Sequence, residues 1–208
     1  MNSEQTQLIL RVHAIVQERL RNQGAGHGFD HVQRVVNSAR LIQASVGGDL
    51  FIIELAALLH DVGDAKFHEG VERSAEFSVE ILEQLEVSAA YIKHVANIVD
   101  NVSFRKRHQA AELTLEGKVV QDADRLDALG AVGIVRTIEF GAAFGQPFYL
   151  PGSTDEKTGI SHFHDKLFKL RGLMNTSAGH EIAKQREQIM RTFLDQYLAE
   201  CDAGERHA

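Results

Sequence analysis

Cysteine is nearly absent from this chain of 208 residues, because Cys201 is the only one. A disulfide framework, a cysteine-based zinc ribbon and a cysteine nucleophile therefore cannot be assembled from the chain alone. Cys201 lies near a polar C-terminus and is expected to be an exposed, inert thiol.

Proline is also scarce, with only Pro147 and Pro151, so the sequence on either side of this pair is free to be helical. Apolar residues recur at helical spacing, and no alternating strand pattern competes with them. Asp30, with Gln33 as its partner, is expected to cap a helix that stops before Gly47, and Asp49 to cap the next. Helices are predicted near residues 8–20, 30–46, 51–62, 72–86, 88–102, 114–129, 131–144, 160–174 and 177–200. The fold class is therefore all-α, a compact bundle of about eight helices in a single domain over residues 1–208.

The sequence lacks a broad basic surface, since the net charge is −7 and "RKRH" at 105–108 is the one basic run. A protein that binds nucleic acid without sequence preference needs such a surface to neutralise phosphates, so we expect no nucleic-acid partner. The N-terminus shows no signal peptide pattern. The composition is that of an ordinary globular protein, so a cytoplasmic location and no membrane partner are expected.

Polar side chains interrupt apolar helices at three places. Burying such groups unpaired would be unfavourable by several kcal/mol each, so they must be satisfied together or face a wet cavity. The residues concerned are His31, His60, Asp61, Asp122, Asp124 and Asp127.

Each interruption has an ordinary explanation when it is taken alone. His31 beside Asp30 could serve as a capping residue, His60 and Asp61 could simply end a helix, and Asp124 could form a surface ion pair with its neighbour Arg125. Their occurrence together favours a shared cation instead. Imidazole and carboxylate ligands suit one divalent ion such as Mn, Fe, Ni, Co or Zn, and Mg less well because it prefers oxygen ligands.

The order H…HD…D, here His31, "HD" at 60 and 61, and the aspartate at 124, resembles the HD superfamily of metal-dependent phosphohydrolases. A bacterial branch of single-domain HD proteins, which includes nucleoside triphosphate pyrophosphatases, is similar over residues 25–198. The matching phrases are "HGFDHVQRV", "HDVGDAKF", "DADRLDALGA", "HFHDKL" and "LMNTSAGHEIAKQR". The resemblance implies an HD-type domain with its motif core at about 25–130 and C-terminal helices, at about 160–200, packing on it.

The resemblance also implies roles for individual residues. His31, His60, Asp61 and Asp124 would be the metal ligands, and Asp64 occupies the place of an acidic residue that handles the attacking water. HD phosphodiesterases with two metals carry extra histidines after the HD helix, where this chain reads "VANIVDNVSF". One metal ion is therefore expected, with His94 as a solvated helix residue.

Phosphate binding needs positive charge near these ligands. Lys66 and Arg34 are the preferred candidates because each lies within about one helical turn of a ligand in the sequence. His27 and Lys166 are further candidates for contacting substrate. Asp127, three residues after Asp124, is expected to orient a partner of the ligands.

These features predict a metal-dependent hydrolase of small nucleotides, with conversion of a nucleoside triphosphate to monophosphate and pyrophosphate as the favoured reaction. A nucleoside monophosphate phosphatase, another phosphoester hydrolase and a non-catalytic HD module that senses nucleotide or metal remain as alternatives. A homodimer is compatible with the sequence, which does not determine the oligomeric state.

Overall fold

The structure, a computed structural model, describes residues 1–21, 28–102, 112–152 and 157–202, apart from the side chains of Lys66 and Asp202. Within these ranges the chain is all-α, as predicted, and contains no strand. The helices are α1 Ser3–Arg19, α2 Phe29–Val46, α3 Leu50–Leu59, α4 Ser74–Gln84, α5 Ala89–Val102, α6 Leu115–Asp127, α7 Gly130–Phe144, α8 Gly159–Asp165 and α9 Ser177–Asp202. Two short 3-10 segments cover Ala65–Phe67 and Leu167–Leu173.

The chain divides into two compact units, Met1–Asp124 and Arg125–Ala208. A single domain over residues 1–208 stays a prediction. None of the helices in the described ranges has the length and hydropathy needed to cross a membrane.

Helix α3 is the centre of the N-terminal unit. Every residue of Phe51–Leu59 is buried, and the helix packs against α1, α2, α4 and α5. Asp49 caps it, as predicted, because its Oδ1 accepts hydrogen bonds from the amides of Phe51 (2.9 Å) and Ile52 (3.4 Å). Since α3 ends at Leu59, His60 stands at the inner end of a buried helix.

The N-cap of helix α2 lies two residues before its predicted position. The N-cap is Gly28, and Asp30 lies inside the first turn, so the assignment of Asp30 as the cap with Gln33 as its partner is wrong. The Asp30 carboxylate instead accepts a hydrogen bond from Arg34 Nη1 at 2.9 Å. This ion pair spans one helical turn, and the same carboxylate also accepts hydrogen bonds from the backbone amides of Asp30 and His31.

A partly buried ion pair joins α2 to α3. Arg40 donates from Nε and Nη2 to the two carboxylate oxygens of Glu54, at 2.6 and 2.8 Å. Only 2% of the Glu54 side chain is exposed, whereas 48% of the Arg40 side chain is. The bidentate pair therefore fixes the register of the two helices that carry His31 and His60.

The C-terminal unit contains α7, α8, α9 and the second 3-10 segment. The helix predicted over 160–174 is broken at Lys166, which has φ −131° and ψ −57° and separates α8 from Leu167–Leu173. Phe163, in α8, is fully buried and lies edge-on to Phe148 and Phe168. Aromatic packing around Phe163 thus accompanies a helix break at a position that holds neither proline nor glycine.

Candidate metal centre

Two histidines meet inside the N-terminal unit. His31, in the first turn of α2, is 2% exposed, and His60, at the end of α3, is 6% exposed. Their Nε2 atoms lie 3.2 Å apart. His60 Nδ1 lies 2.9 Å from the carbonyl oxygen of Ala57, which accepts its proton, so the neutral ring presents the Nε2 lone pair to the site.

Two carboxylates lie beside these nitrogens. Asp61 Oδ2 is 3.5 Å from His31 Nε2 and 3.6 Å from His60 Nε2. Asp124 Oδ1, from α6, is 3.5 and 3.9 Å from the same two atoms. Both carboxylates are partly exposed, with 23% and 31% of their side chains open. Four side chains from three parts of the chain therefore converge on one partly open position.

The spacing of these atoms suits a single divalent ion. Ligand atoms about 2.0–2.2 Å from one metal stand about 2.8–3.6 Å apart at octahedral or tetrahedral angles. The separations measured between the histidine and aspartate atoms, 3.2–3.9 Å, match that range with slight expansion. His31, His60 and Asp124 each offer a ligand atom within 4.8 Å of the others and could hold a metal ion.

Asp64 follows His60 and Asp61 in a tight turn. Its amide donates to the carbonyl of Asp61 at 3.2 Å, and its own carbonyl accepts from the amide of Phe67 at 2.9 Å. The Asp64 side chain is neither buried nor fully exposed. The turn thus connects a predicted ligand directly to the predicted general base.

The start of α4 holds this turn in place. The Gly63 amide donates to Ser74 Oγ (3.1 Å), the Arg73 amide donates to the Gly63 carbonyl (3.0 Å), and the Ala65 amide donates to Glu72 Oε2 (3.4 Å). A Cβ atom at Gly63 would lie 2.6 Å from the Arg73 carbonyl carbon and 2.7 Å from the Ser74 amide nitrogen. Sequence reasoning missed Glu72 and Ser74, and the only local hint is the glycine itself.

The structure describes only some of the predicted phosphate-binding residues. Arg34 is one helical turn from His31 and pairs with Asp30, and its hydrogen bond is the main cause that holds the pKa of the Asp30 carboxyl below its ordinary value. Lys66 lies in the 3-10 segment after Asp64. His27 falls outside the described residues, as does the basic run at 105–108.

Two further predicted residues belong to the C-terminal unit. Lys166 follows α8, and its amide donates to the carbonyl of His162. Asp127 is 2% exposed, and its Oδ2 accepts a hydrogen bond from Arg136 Nη1 at 2.6 Å.

His94 lies in a cluster that includes no predicted metal ligand. Its Nε2 is 3.1 Å from Thr114 Oγ1 and 3.7 Å from Glu116 Oε2, while Glu116 Oε1 accepts a hydrogen bond from the Asp49 amide at 3.1 Å. Burial alone would raise the pKa of Glu116, but the hydrogen bonds it accepts, together with His94, hold that pKa below its ordinary value. The cluster connects the start of α6 to the cap of α3.

Known proteins resemble this chain over most of its length. The HD domain family model matches residues 28–129. The uncharacterized protein YpgQ of Bacillus subtilis is 40% identical over 183 residues, which cover 87% of each chain. An HD-superfamily hydrolase from Bacillus thuringiensis superposes with a TM-score of 0.81 at 38% identity, covering 96% of this chain and 99% of that one. The crystal structure of YpgQ in complex with ADP superposes with a TM-score of 0.80 at 34% identity, covering 95% and 96%.

Proposed function

Since the chain belongs to the HD superfamily of metal-dependent hydrolases, which cleave phosphoester or phosphoanhydride bonds, we propose that it hydrolyses small nucleotides. The favoured reaction converts a nucleoside triphosphate to a monophosphate and pyrophosphate. The convergence of the His31, His60, Asp61 and Asp124 side chains is the observation that carries the proposal. A nucleotide substrate is further supported by the relative YpgQ, which has been crystallised with ADP.

The four converging side chains are the proposed ligands of one divalent ion. Two imidazole nitrogens and two carboxylate oxygens favour Mn, Fe, Ni, Co or Zn, with Mg less suited to the nitrogen ligands. When bound, such an ion lowers the pKa of a water molecule and neutralises phosphate charge. The hydrogen bond from His60 to the Ala57 carbonyl keeps the ring in the tautomer that a metal requires.

Asp64 is the proposed general base. Its place in the turn that follows Asp61 would allow its carboxylate to take a proton from the attacking water. In the favoured reaction the water oxygen bonds to the α-phosphorus, the bond from that phosphorus to the bridging oxygen breaks, and pyrophosphate leaves with the electron pair. The anchoring of the turn by Ser74 and Glu72 would keep this carboxylate in position.

Positive side chains are proposed to hold the phosphates. Arg34 lies in α2, which also carries His31, and Lys66 lies in the 3-10 segment that follows Asp61 in the chain. His27 and Lys166 are further candidates. Arg34 would have to exchange part of its pairing with Asp30 for a substrate phosphate. Asp127 is proposed to orient the end of α6 through its hydrogen bond with Arg136.

The proposed reaction is tested by identifying its products. Purified protein with Mn²⁺ is incubated with nucleoside mono-, di- and triphosphates, and phosphate is separated from pyrophosphate. Pyrophosphate from a triphosphate supports the favoured reaction. Phosphate from a monophosphate would instead identify a phosphatase, and binding without turnover would identify a sensing module. The variant His60→Ala serves as the matched control for contaminating activity.

A further inference from the structure

The start of α2, residues 29–33, carries His31, and its backbone hydrogen bonds are local. Its N-cap, Gly28, has no side chain that could bind the amides of the turn. The amide of His31 donates to the carbonyl of Gly28 at 3.0 Å, and the Asp30 carboxylate accepts from the amides of Asp30 and His31. These bonds join neighbouring residues, so they wind the turn but do not fix its place against other helices.

His13 of α1 makes two contacts with the start of α2. Its Nε2 lies 3.0 Å from Oε1 of Gln33, and its ring lies edge-on to the ring of Phe29, with the centroids 4.6 Å apart. All three side chains are half-buried. Phe29 and Gln33 are four residues apart and share one face of α2, whereas His31 points about 160° away from Phe29 around the helix. His13 therefore holds the start of α2 from the side opposite His31.

The hydrogen bond between His13 and Gln33 has a defined direction. The amide nitrogen of Gln33 donates to Oδ1 of Asn37 at 3.4 Å, which leaves its Oε1 to face His13. An amide oxygen can only accept, so Nε2 of His13 is the donor. Because a neutral ring in this tautomer and a charged ring both carry that proton, the bond persists when His13 titrates.

Helix α1 relates this contact to the second histidine of the proposed metal centre. Helix α1 packs against α3, and His60 stands at the end of α3. The Arg40–Glu54 pair joins α2 to α3 at a point nine residues beyond His31, about 13 Å along the helix. His13 adds an attachment at the end of α2 where His31 lies.

We propose that His13 is a positioning residue of the metal centre, which holds His31 opposite His60 through its contacts with Gln33 and Phe29. This inference rests on the proposed function, because it assumes that His31 is a metal ligand, but it does not depend on which bond the chain cleaves. Groups that orient metal ligands usually change metal affinity by about 10- to 100-fold. Since His13 acts through neighbours of His31 rather than on its ring, we expect a change of about tenfold.

The experiment titrates the full-length chain with Mn²⁺ and measures free Mn²⁺ by electron paramagnetic resonance, so its result does not require hydrolysis. His13→Ala should weaken Mn²⁺ binding by about tenfold, because both contacts are lost. His13→Gln keeps a donor close to the position of Nε2 but loses the ring, and His13→Phe keeps the ring but loses the donor. Each of these two variants should bind Mn²⁺ with an affinity between those of the wild type and His13→Ala.

Val12→Ala is the matched control. Val12 is fully buried in the same helix, and its side chain points about 100° away from that of His13. Its truncation should lower Tm through lost apolar burial, while both contacts of His13 remain. Mn²⁺ affinity should then stay at the wild-type value, which separates positioning of His31 from a general loss of stability.

A double-mutant cycle tests the path from His13 to α2. Gln33→Met removes the acceptor of the same hydrogen bond, and residue 33 points away from His31, so the new side chain does not reach the ion. The double variant His13→Phe with Gln33→Met should bind Mn²⁺ as tightly as either single variant, because each substitution removes one shared bond. Additive losses would reject this path.

Two further results would overturn the proposal. One is a His13→Ala chain that is folded by circular dichroism and binds Mn²⁺ as tightly as the wild type. The other is a Val12→Ala chain whose affinity falls as far as that of His13→Ala. A wild type that binds Mn²⁺ but hydrolyses no nucleotide would remove the proposed function alone, whereas a wild type that binds no Mn²⁺ would remove both.

Discussion

His31 Nε2 and His60 Nε2 lie 3.2 Å apart, although 29 residues separate them in the sequence. Because His60 donates its other ring proton to Ala57, the lone pair of a neutral His60 points toward His31. If both rings are neutral, only one proton can lie between the two Nε2 atoms. A cation between them, with Asp61 and Asp124 nearby, satisfies both nitrogens at once.

The first prediction concerns metal and stability together. His60→Ala and Asp124→Ala are each expected to lose the bound ion, which holds together parts of the chain that are far apart in sequence. A chelator should therefore lower the Tm of the wild type more than that of either variant, as followed by circular dichroism and by metal analysis. Equal shifts in Tm for all three proteins would place the ion elsewhere.

The second prediction separates catalysis from metal binding. Asp64→Asn preserves the shape of the side chain and the four proposed ligands, so metal content should stay near that of the wild type. Hydrolysis should fall by about two orders of magnitude or more, mainly in kcat, because an amide cannot accept the proton of the attacking water. Near-normal activity would remove Asp64 from the role of base, and loss of metal would make it a ligand.

The third prediction tests the anchoring of the turn. Gly63→Ala should weaken metal binding and lower Tm, since a methyl group at this position meets the backbone of Arg73 and Ser74 at under 3 Å. Gly70→Ala is the control for adding a methyl group nearby, because no atom lies within 4 Å of that position, although its positive φ of 85° makes the alanine slightly strained. Titration with Mn²⁺ compares the two variants. A Gly63→Ala chain that binds the ion as tightly as the Gly70→Ala chain would contradict the anchoring role.

The fourth prediction is an asymmetry in the Arg40–Glu54 pair. Arg40→Ala leaves a carboxylate buried without its partner and should lower the free energy of unfolding by roughly 3 kcal/mol. Glu54→Gln should be milder, at roughly 1 kcal/mol, because the half-exposed Arg40 can still reach water. The double variant Arg40→Met with Glu54→Leu is expected to recover part of the loss. Urea unfolding measures all three, and a larger effect for Glu54→Gln than for Arg40→Ala would reject this account.

The fifth prediction concerns pH. A carboxyl whose pKa is lowered by folding stabilises the protein above its ordinary pKa, here 4.5, and this stability is lost as the pH falls through the lower, folded value. Lowering the pH from 6 to about 3 should therefore reduce the Tm of the wild type more steeply than that of Glu116→Gln. Parallel Tm curves would show that Glu116 contributes nothing to the acid sensitivity.

Local signals in the sequence predict part of this fold. The apolar run of α3 and its cap at Asp49 are confirmed, because a continuous hydrophobic helix and a side-chain cap depend on neighbouring residues alone. The assignment of Asp30 as a cap fails because α2 begins at Phe29 with Gly28 as its N-cap, which places Asp30 inside the first turn. The break at Lys166 was missed because no proline or glycine marks it, and the aromatic packing around Phe163 that accompanies it is a tertiary feature.

The candidate site, too, could be predicted from the sequence only in part. The pattern of His31, "HD" and Asp124 identified the side chains that the structure brings together, since their spacing matches a known family motif. The anchoring by Ser74 could not be read from the sequence, because a serine at the start of a helix is usually a cap. Its hydroxyl instead accepts the amide hydrogen of Gly63, eleven residues earlier.

Asp124 is the last residue of the N-terminal unit and the last of the four converging side chains along the chain. A ribosome makes His31, His60 and Asp61 well before it makes Asp124, so a nascent chain carries three of the four groups through much of its synthesis. The full set of proposed ligands exists only once α6 has been synthesised and folded. Capture of the ion would then mark the completion of the first unit, and a product truncated before Asp124 would lack one of the two carboxylates.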